Sequence, residues 1–415
     1  MKRRLFTQMR TEWRSNVWMI AELTIVGLIV ALITMVLSQL AYMHSRPIGY
    51  DLTDLYVGLN NTLSEDADDY VKYDDNQSFY DDLDVILRKL RGNPYVEMVA
   101  VGCHSMPYNY NYYGDMISCQ ANGDTLLYFG NTRFLSPELV RALRLTGPDG
   151  QTTEQIASVL ERGEWLVSPY DNPEGFGGIE SCDPHKIKGK TVVLGGDSTQ
   201  TAYVGDICYG IARDDYEGIY SGCIIRPLEG SDRFPSEIVV RVKPGMGRKF
   251  VESLKAKDLA QGNIYVTNFS STDDMRDNCQ RGVDNFERNL VICAVFLLVA
   301  VFLGFLGSFW FRTQQRVPEI ALRKVNGATE WQIFSRLISE GLIMLLISAV
   351  IFSPIYFYLI SANILEDFIT FDSQLPNYVA YCITMAVLMV MIVAGIWFPA
   401  RRAMKVEPAN VLKDQ

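Results

Sequence analysis

Histidine is scarce in this chain: there are three in 415 residues, His44, His104 and His185, and none sits near a plausible nucleophile. Cys182 with His185 has the spacing of half a metal knuckle, but no second half completes it, so no metal site is expected. There is no G-x-S-x-G elbow and no H-E-x-x-H helix, which excludes the common serine-hydrolase and zinc-protease designs. A phosphate-binding loop is missing as well. Gly189-Lys190-Thr191 imitates the end of one, yet Pro184 stands where its first glycine must be, and a strand pattern follows in place of a helix. The chain is therefore expected to carry no catalytic residue, no cofactor and no ATPase of its own.

Charge is missing from four long stretches, Leu23–Tyr42, Leu290–Phe311, Gly341–Leu365 and Ser373–Ala400. Each reaches the roughly 20 residues that a helix needs to cross the hydrocarbon of a bilayer. Lys and Arg collect beside these spans at the start (Lys2, Arg3, Arg4, Arg10, Arg14), between the second and third (Arg312, Arg316, Arg323, Lys324, Arg336) and in the tail (Arg401, Arg402, Lys405, Lys413). The loop between the last two spans holds Glu366, Asp367 and Asp372 and no base. The positive-inside rule then predicts an inner-membrane protein with both termini in the cytosol. Before the first span, Phe6, Met9, Trp13 and Val17 recur at helical spacing, as in a helix lying along the inner surface.

The segment from Met43 to Arg288 is expected outside. It holds 38 acidic and 24 basic residues, a balance of −14, while the rest of the chain is +4. Such a surface argues against a nucleic-acid partner. Cys103, Cys119, Cys182, Cys208, Cys223 and Cys279 all fall in it, an even number outside the cytosol, which makes them disulfide candidates. A Cys103–Cys119 bridge is the favoured pair; it would close a loop of about 15 residues, worth on the order of 3 kcal/mol in the chain-entropy model.

Two strand–helix–strand rhythms frame this segment. One runs from Asp54–Asn60 through a helix with Phe79, Leu83, Ile86, Leu87 and Leu90 on one face to Tyr95–Cys103; the other runs from Glu237–Gly245 through Phe250, Leu254 and Leu259 to Asn263–Phe269. They predict two βαβ-like halves in one α+β layer structure. The β-rich insert between them has helices near Ser136–Leu145 and Thr153–Arg162 and a hairpin turning at Gly195-Gly196-Asp197. Residues Asp273–Arg288 read as a stalk leading into the second span.

The stretch Arg316–Trp331, RVPEIALRKVNGATEW, has its own punctuation. Pro318 suits a helix start, Gly327 suits the left-handed residue that ends one, and Thr329 with Gln332 has the form of a capping box. Glu319 and Arg323 lie four residues apart on one face, as do Arg336 and Glu340 at the membrane edge. RVPEIALRKVNGAT is similar to the R-x-x-E-I-x-x-R-x-x-x-G-A-T signature of MacB/FtsX-family ABC transporter permeases, at Arg316, Glu319, Ile320, Arg323, Gly327, Ala328 and Thr329. PARRAMKVEPANVL resembles the family's closing motif at Pro399, Ala400, Ala403, Pro408 and Leu412; RPIGYDLTDLYVGLN and KGKTVVLGGDSTQTAYVGDI more loosely resemble parts of a MacB-type periplasmic core.

The resemblance implies an α-helical membrane protein with four spans and a large extracytoplasmic α+β domain. Its expected order is a cytosolic amphipathic helix (1–16), a first span (17–43), and a core domain (44–288) with porter-like halves at 44–103 and 237–271, an insert at 104–236 and a stalk at 272–288. A second span (289–312), a coupling helix (313–332), a third span (333–362), a short periplasmic loop (363–374), a fourth span (375–400) and a cytosolic tail (401–415) follow. MacB itself carries an ATP-binding domain at its start, which has no counterpart in the short segment before this first span. By the resemblance, ATP and Mg belong to a separate ABC ATPase that docks on Arg316, Pro318, Glu319, Ile320, Arg323, Lys324 and Gly327, with the charges of Glu319 and Arg323 turned to that partner. It also implies a second permease protomer, identical or not, and for export from the periplasm an adaptor and an outer-membrane channel. The expected function is mechanical coupling of ATP hydrolysis to the outer domain. The alternatives are FtsX-like regulation of a cell-wall hydrolase or signalling partner, and lipoprotein extraction.

Overall fold

The computed structural model describes residues 13–45, 48–73, 76–109, 113–121, 123–169, 181–195, 197–215, 222–231, 233–362 and 375–404. The chain divides into a helical unit, Met1–Tyr42 with Asp284–Gln415, and an α/β unit, Met43–Val283. Helix α1 is unbroken over Trp13–His44. Most of the expected surface helix, including Phe6 and Met9, lies outside the described residues. Trp13 and Val17, placed on its apolar face, instead belong to the same helix as the span.

The α/β unit opens with β1 (Leu55–Thr62), α2 (Asn76–Arg91) and β2 (Val96–Cys103). Next come β3 (Tyr113–Ala121), β4 (Asp124–Leu135), α3 (Pro137–Leu143), α4 (Thr153–Glu161), β5 (Trp165–Val167), β6 (Thr191–Leu194), β7 (Asp197–Ile207) and β8 (Cys223–Pro227). It closes with β9 (Glu237–Val242), α5 (Gly247–Ser253), β10 (Ala260–Gln261), β11 (Ile264–Val266) and β12 (Ser270–Ser271).

The two expected halves are present, and they interleave. β9 lies between β1 and β2, antiparallel to both, and β1 lies between β9 and β11, giving the order β11-β1-β9-β2. This is a split βαβ arrangement in which each half supplies the strand that fills the other's gap. Every residue of β9 is buried because both sheet faces are covered. Ile238, Val240 and Val242 pack with Leu83, Ile86 and Phe250 of α2 and α5, while Val239 packs with Leu139, Leu143 and Ile156 of α3 and α4. Gly58 of β1 sits so close to the layer that an added Cβ would lie 2.7 Å from Val266 and 2.9 Å from Phe269. Gly58→Ala is expected to cost about 1–3 kcal/mol by overpacking, read as a lowered denaturation midpoint of the full chain in detergent.

The insert is more closed than its sequence suggests. β4-β3-β6-β7-β5-β8 run in order, and β8 pairs back onto β4 in parallel from Asn131↔Cys223 to Leu135↔Pro227, so these strands form a ring. Tyr128, Val192, Val204 and Ile224 fill it. The helices begin where read: Ser136 caps α3, and Thr152 with Gln155 forms a capping box on α4. The β6–β7 hairpin is antiparallel, with Gly195 at φ 56°; Gly196 lies outside the described residues.

The favoured disulfide does not form, and no disulfide is present among the described residues. Cys103 pairs opposite Phe134 and Cys119 opposite Leu126 on the same strand, β4. Eight residues of strand separate them by roughly 26 Å, against the few ångströms a bridge requires. Cys208 and Cys223 flank Ser168 on opposite sides, Cys119 and Cys182 pack into the ring's core, and Cys279 lies beyond β12.

The helical unit is built from α1, α6 (Thr272–Gln315), α7 (Val317–Val325), α8 (Glu330–Ser361) and α9 (Leu375–Met404). Four of these, all but α7, are long and apolar enough to cross a membrane. The expected stalk and second span are one helix, α6. Leu23, Val26, Met344, Leu345, Leu388 and Ile392 make the shared core of α1, α8 and α9. Buried polar pairs tie α1 to α9: Gln39 Nε2 donates to Asn377 Oδ1 at 3.0 Å, and Thr34 and Thr384 share a hydrogen bond of 2.7 Å. The acidic loop 363–374 and the tail from residue 405, with Pro408 and Leu412, lie outside the described residues.

Candidate functional site

The elbow between α6 and α8 is shaped by the residues that punctuate its sequence. Pro318 occupies the first turn of α7, where its missing N–H leaves nothing unpaired. Gly327 takes φ 86°, a conformation that strains any side-chain-bearing residue, and so reverses the chain. Thr329 then caps α8: its Oγ1 accepts from Gln332 N–H at 3.3 Å, and Gln332 Oε1 accepts from Thr329 N–H at 3.1 Å. Ile320 on the inner face of α7 packs on Ile333, with Val317 and Leu337 beside them. The elbow is thus seated on the first turns of α8.

A chain of ion pairs locks that seat. Glu340 of α8, with a side chain only 7% exposed, accepts from Arg316 and lies 3.6 Å from Arg336 Nε. Arg336 also reaches Glu319 at 3.8 Å, and Glu319 binds Arg323 at 2.7 Å. The expected pairs Arg336–Glu340 and Glu319–Arg323 are both present, and the structure joins them through Arg336, which reaches both carboxylates. Burial acts to raise the Glu319 carboxyl, but the Arg323 hydrogen bond and the neighbouring guanidiniums hold it below its ordinary range. Its contribution is therefore present above the ordinary carboxylate range and is lost as pH falls through the lowered value. Arg316, Glu319, Arg323 and Arg336 line a cleft of about 110 Å³ with Gln332.

In this geometry the charges pair within the elbow. Glu319 and Arg323 are turned to each other, Arg316 is turned inward to Glu340, and Ile320 is buried. Beside exposed polar residues such as Asn326, Glu330 and Gln332, α7 and the start of α8 present three large apolar side chains outward: Leu322 is 54% exposed, Val325 61% and Trp331 72%. Gly327 is also exposed, and Pro318 and Lys324 are half-buried. The signal for Leu322 and Val325 was in the sequence. A nine-residue helix with Val317, Ile320 and Ala321 on one face and Leu322 and Val325 on another has more apolar surface than one seat can bury.

At its other end, α6 is anchored within the α/β unit. β12, just before it, pairs with β1 at Ser271↔Tyr56 and Ser270↔Val57. Thr272 Oγ1 donates to Leu52 O at 2.8 Å, and Arg276 Nε donates to Asp215 at 2.6 Å. Arg241, 3% exposed, donates to Asp51 O at 2.7 Å and Thr53 O at 2.8 Å. The segment that follows α1 and the start of α6 are thus stitched to the same strands.

Residues 291–408 match the family described as FtsX-like permease C-terminal. Among solved structures, the chain is similar to the extracellular domain of the noncanonic ABC-type transporter YknZ from Gram-positive bacteria. That match has 13% identity and a TM-score of 0.29, and covers 51% of this chain and 100% of that one. It is also similar to the periplasmic region of MacB from Actinobacillus actinomycetemcomitans, at 11% identity and a TM-score of 0.30, covering 57% of this chain and 94% of that one. No curated protein matches. The chain is thus similar to the C-terminal part of FtsX-like permeases over the region that spans the elbow and its flanking helices.

Proposed function

We propose that this permease transmits the work of a separate ATPase from the cytosol to its outer α/β unit. The observation that carries this reading is α6, a single helix of 44 residues that starts beside β12 and ends one residue before the elbow. Its contour of roughly 66 Å is a ready lever. In this reading ATP-driven closure of the ATPase displaces the elbow, the ion pairs of Glu340 make α8 follow, and α6 carries the motion outward. ATP acts through its different affinities for the two states of the partner, which is the only way a ligand drives such a change. A second permease protomer completes the assembly. We favour export through an adaptor and an outer-membrane channel, because the outer unit pairs an interleaved sheet with a closed ring and offers two surfaces to assemble on.

The docking surface is assigned to Leu322, Val325 and Trp331, with Lys324 at its edge. Gentle purification from the native host after cross-linking, followed by mass spectrometry, tests this. The native chain should retain an ATPase, and Val325→Asp should lower its recovery by at least about tenfold, the scale of an interface hot spot. Arg323→Lys keeps the charge pair with Glu319 and should leave recovery unchanged. Full recovery with Val325→Asp would contradict the docking surface. A co-purifying hydrolase or signalling protein in place of an adaptor would turn the reading from export to regulation, and bound lipoproteins would turn it to extraction.

A further inference from the structure

The α/β unit holds a groove that the coupling reading does not use. Residues 60–84 carry nine Asp and Glu and one Lys, and Glu65 lines a cavity of about 800 Å³ beside them. One wall is the segment 63–73, which is pinned and not merely solvated. Asn263, 1% exposed, accepts from Val71 N–H at 2.8 Å and donates its Nδ2 to Val71 O. Its backbone N–H donates to Tyr73 Oη at 3.0 Å, its carbonyl accepts from Leu63 N–H at 2.8 Å, and Tyr73 donates to Asp82 at 2.6 Å. Within the segment, Asp66, Asp68 and Asp69 are exposed.

The other wall is aromatic. Phe234, just before β9, meets Phe79 edge-on at 5.0 Å and stacks with Tyr80 at 5.9 Å, yet Phe234 remains 44% exposed and Tyr80 40%. Both rings therefore keep open surface.

The floor is an unfinished sheet edge. β1 runs past β9: the last rung is Leu59↔Glu237, Asn60 N–H still reaches Ser236 O at 2.9 Å, and Pro235 has no N–H to continue the ladder. Against β11 the bonds fall on Leu59 and Leu63, so by alternation Thr62 directs its N–H and C=O to the open side. Asn60 lines the groove, and its Nδ2 donates to Pro235 O at 2.9 Å while its buried Oδ1 has no donor among the described residues.

These features converge on one ligand chemistry. An open strand edge takes an extended backbone. Exposed aromatic faces take cations, and an acidic rim draws positive charge and repels anions. We infer that this groove binds an extended cationic peptide, paired beside Thr62, with basic side chains over Phe234 and Tyr80 and against Glu65. The inference goes beyond the coupling function and stands or falls independently of the elbow.

The test is fluorescence anisotropy with the full-length chain in nanodiscs and a labelled ten-residue peptide of alternating lysine and valine. The peptide should bind the native chain and remain bound at 0.3 M salt. Phe234→Ala and Thr62→Pro, the second removing an N–H on an open edge where proline is tolerated, should each weaken binding by about tenfold. The same peptide with glutamate for lysine should not bind. Equal affinity in native, Phe234→Ala and Thr62→Pro chains, or binding that disappears at 0.3 M salt, would overturn the groove and leave only a diffuse acidic surface. Unchanged thermal unfolding of Phe234→Ala shows that any loss is local.

Discussion

Replacing Glu340 with alanine is expected to loosen the elbow by about 3–5 kcal/mol, the cost of removing one partner from a buried ion pair. The Arg316 and Arg336 side chains beside it are each 14% exposed, so water cannot take over the role of the carboxylate. Hydrogen exchange at the α7 amides should quicken by about a hundredfold or more, because a local opening of that size becomes accessible. Replacing Glu340, Arg316 and Arg336 together by methionine should recover much of the loss, since an apolar cluster of similar volume needs no counter-charge. Unchanged exchange in Glu340→Ala would mean that the packing of Ile320 on Ile333 alone holds the seat.

The second large effect is expected in α6. Gly282 is exposed, and the space a side chain would enter there is empty, so substitution disturbs no neighbour. Gly282→Pro nevertheless removes a helix bond and clashes with the preceding turn, at a cost of about 3 kcal/mol or more. The helix should bend or break between its anchor at Thr272 and the spanning segment. Gly282→Ala at the same place should stiffen it, by close to 1 kcal/mol in helix propensity. The pair thus separates lever stiffness from chain identity: proline should uncouple ATP hydrolysis from movement of the α/β unit, and alanine should not.

Much of this architecture was legible because it rests on local rules. The absence of charge marked the four long helices, Pro318, Gly327 and the Thr329/Gln332 box marked the elbow, and the helices read near Ser136 and Thr153 are α3 and α4. Pairings over long sequence distances were not legible. Nothing in Glu237–Val242 states that β9 will lie between β1 and β2, and nothing in Cys223–Pro227 states that β8 will close a ring onto β4. The Cys103–Cys119 pairing failed for the same reason: proximity in sequence says little when a long strand, β4, sets the distance. At the elbow, the i,i+4 spacing of Glu319 and Arg323 correctly predicted that they can pair. It could not reveal that Arg316 and Arg336 complete the network, with Leu322, Val325 and Trp331 exposed beside it.

The central claim is that motion started at the elbow reaches the α/β unit through α6. The most direct measurement is double electron–electron resonance between spin labels on exposed residues of the α/β units, in the chain reconstituted in nanodiscs with the ATPase that co-purifies with it, with and without trapped ATP. The account predicts a distance distribution that shifts with nucleotide in the native chain and in Gly282→Ala, and that no longer shifts in Gly282→Pro although the ATPase stays bound. A native distribution indifferent to nucleotide, or a shift that survives Gly282→Pro undiminished, would contradict it.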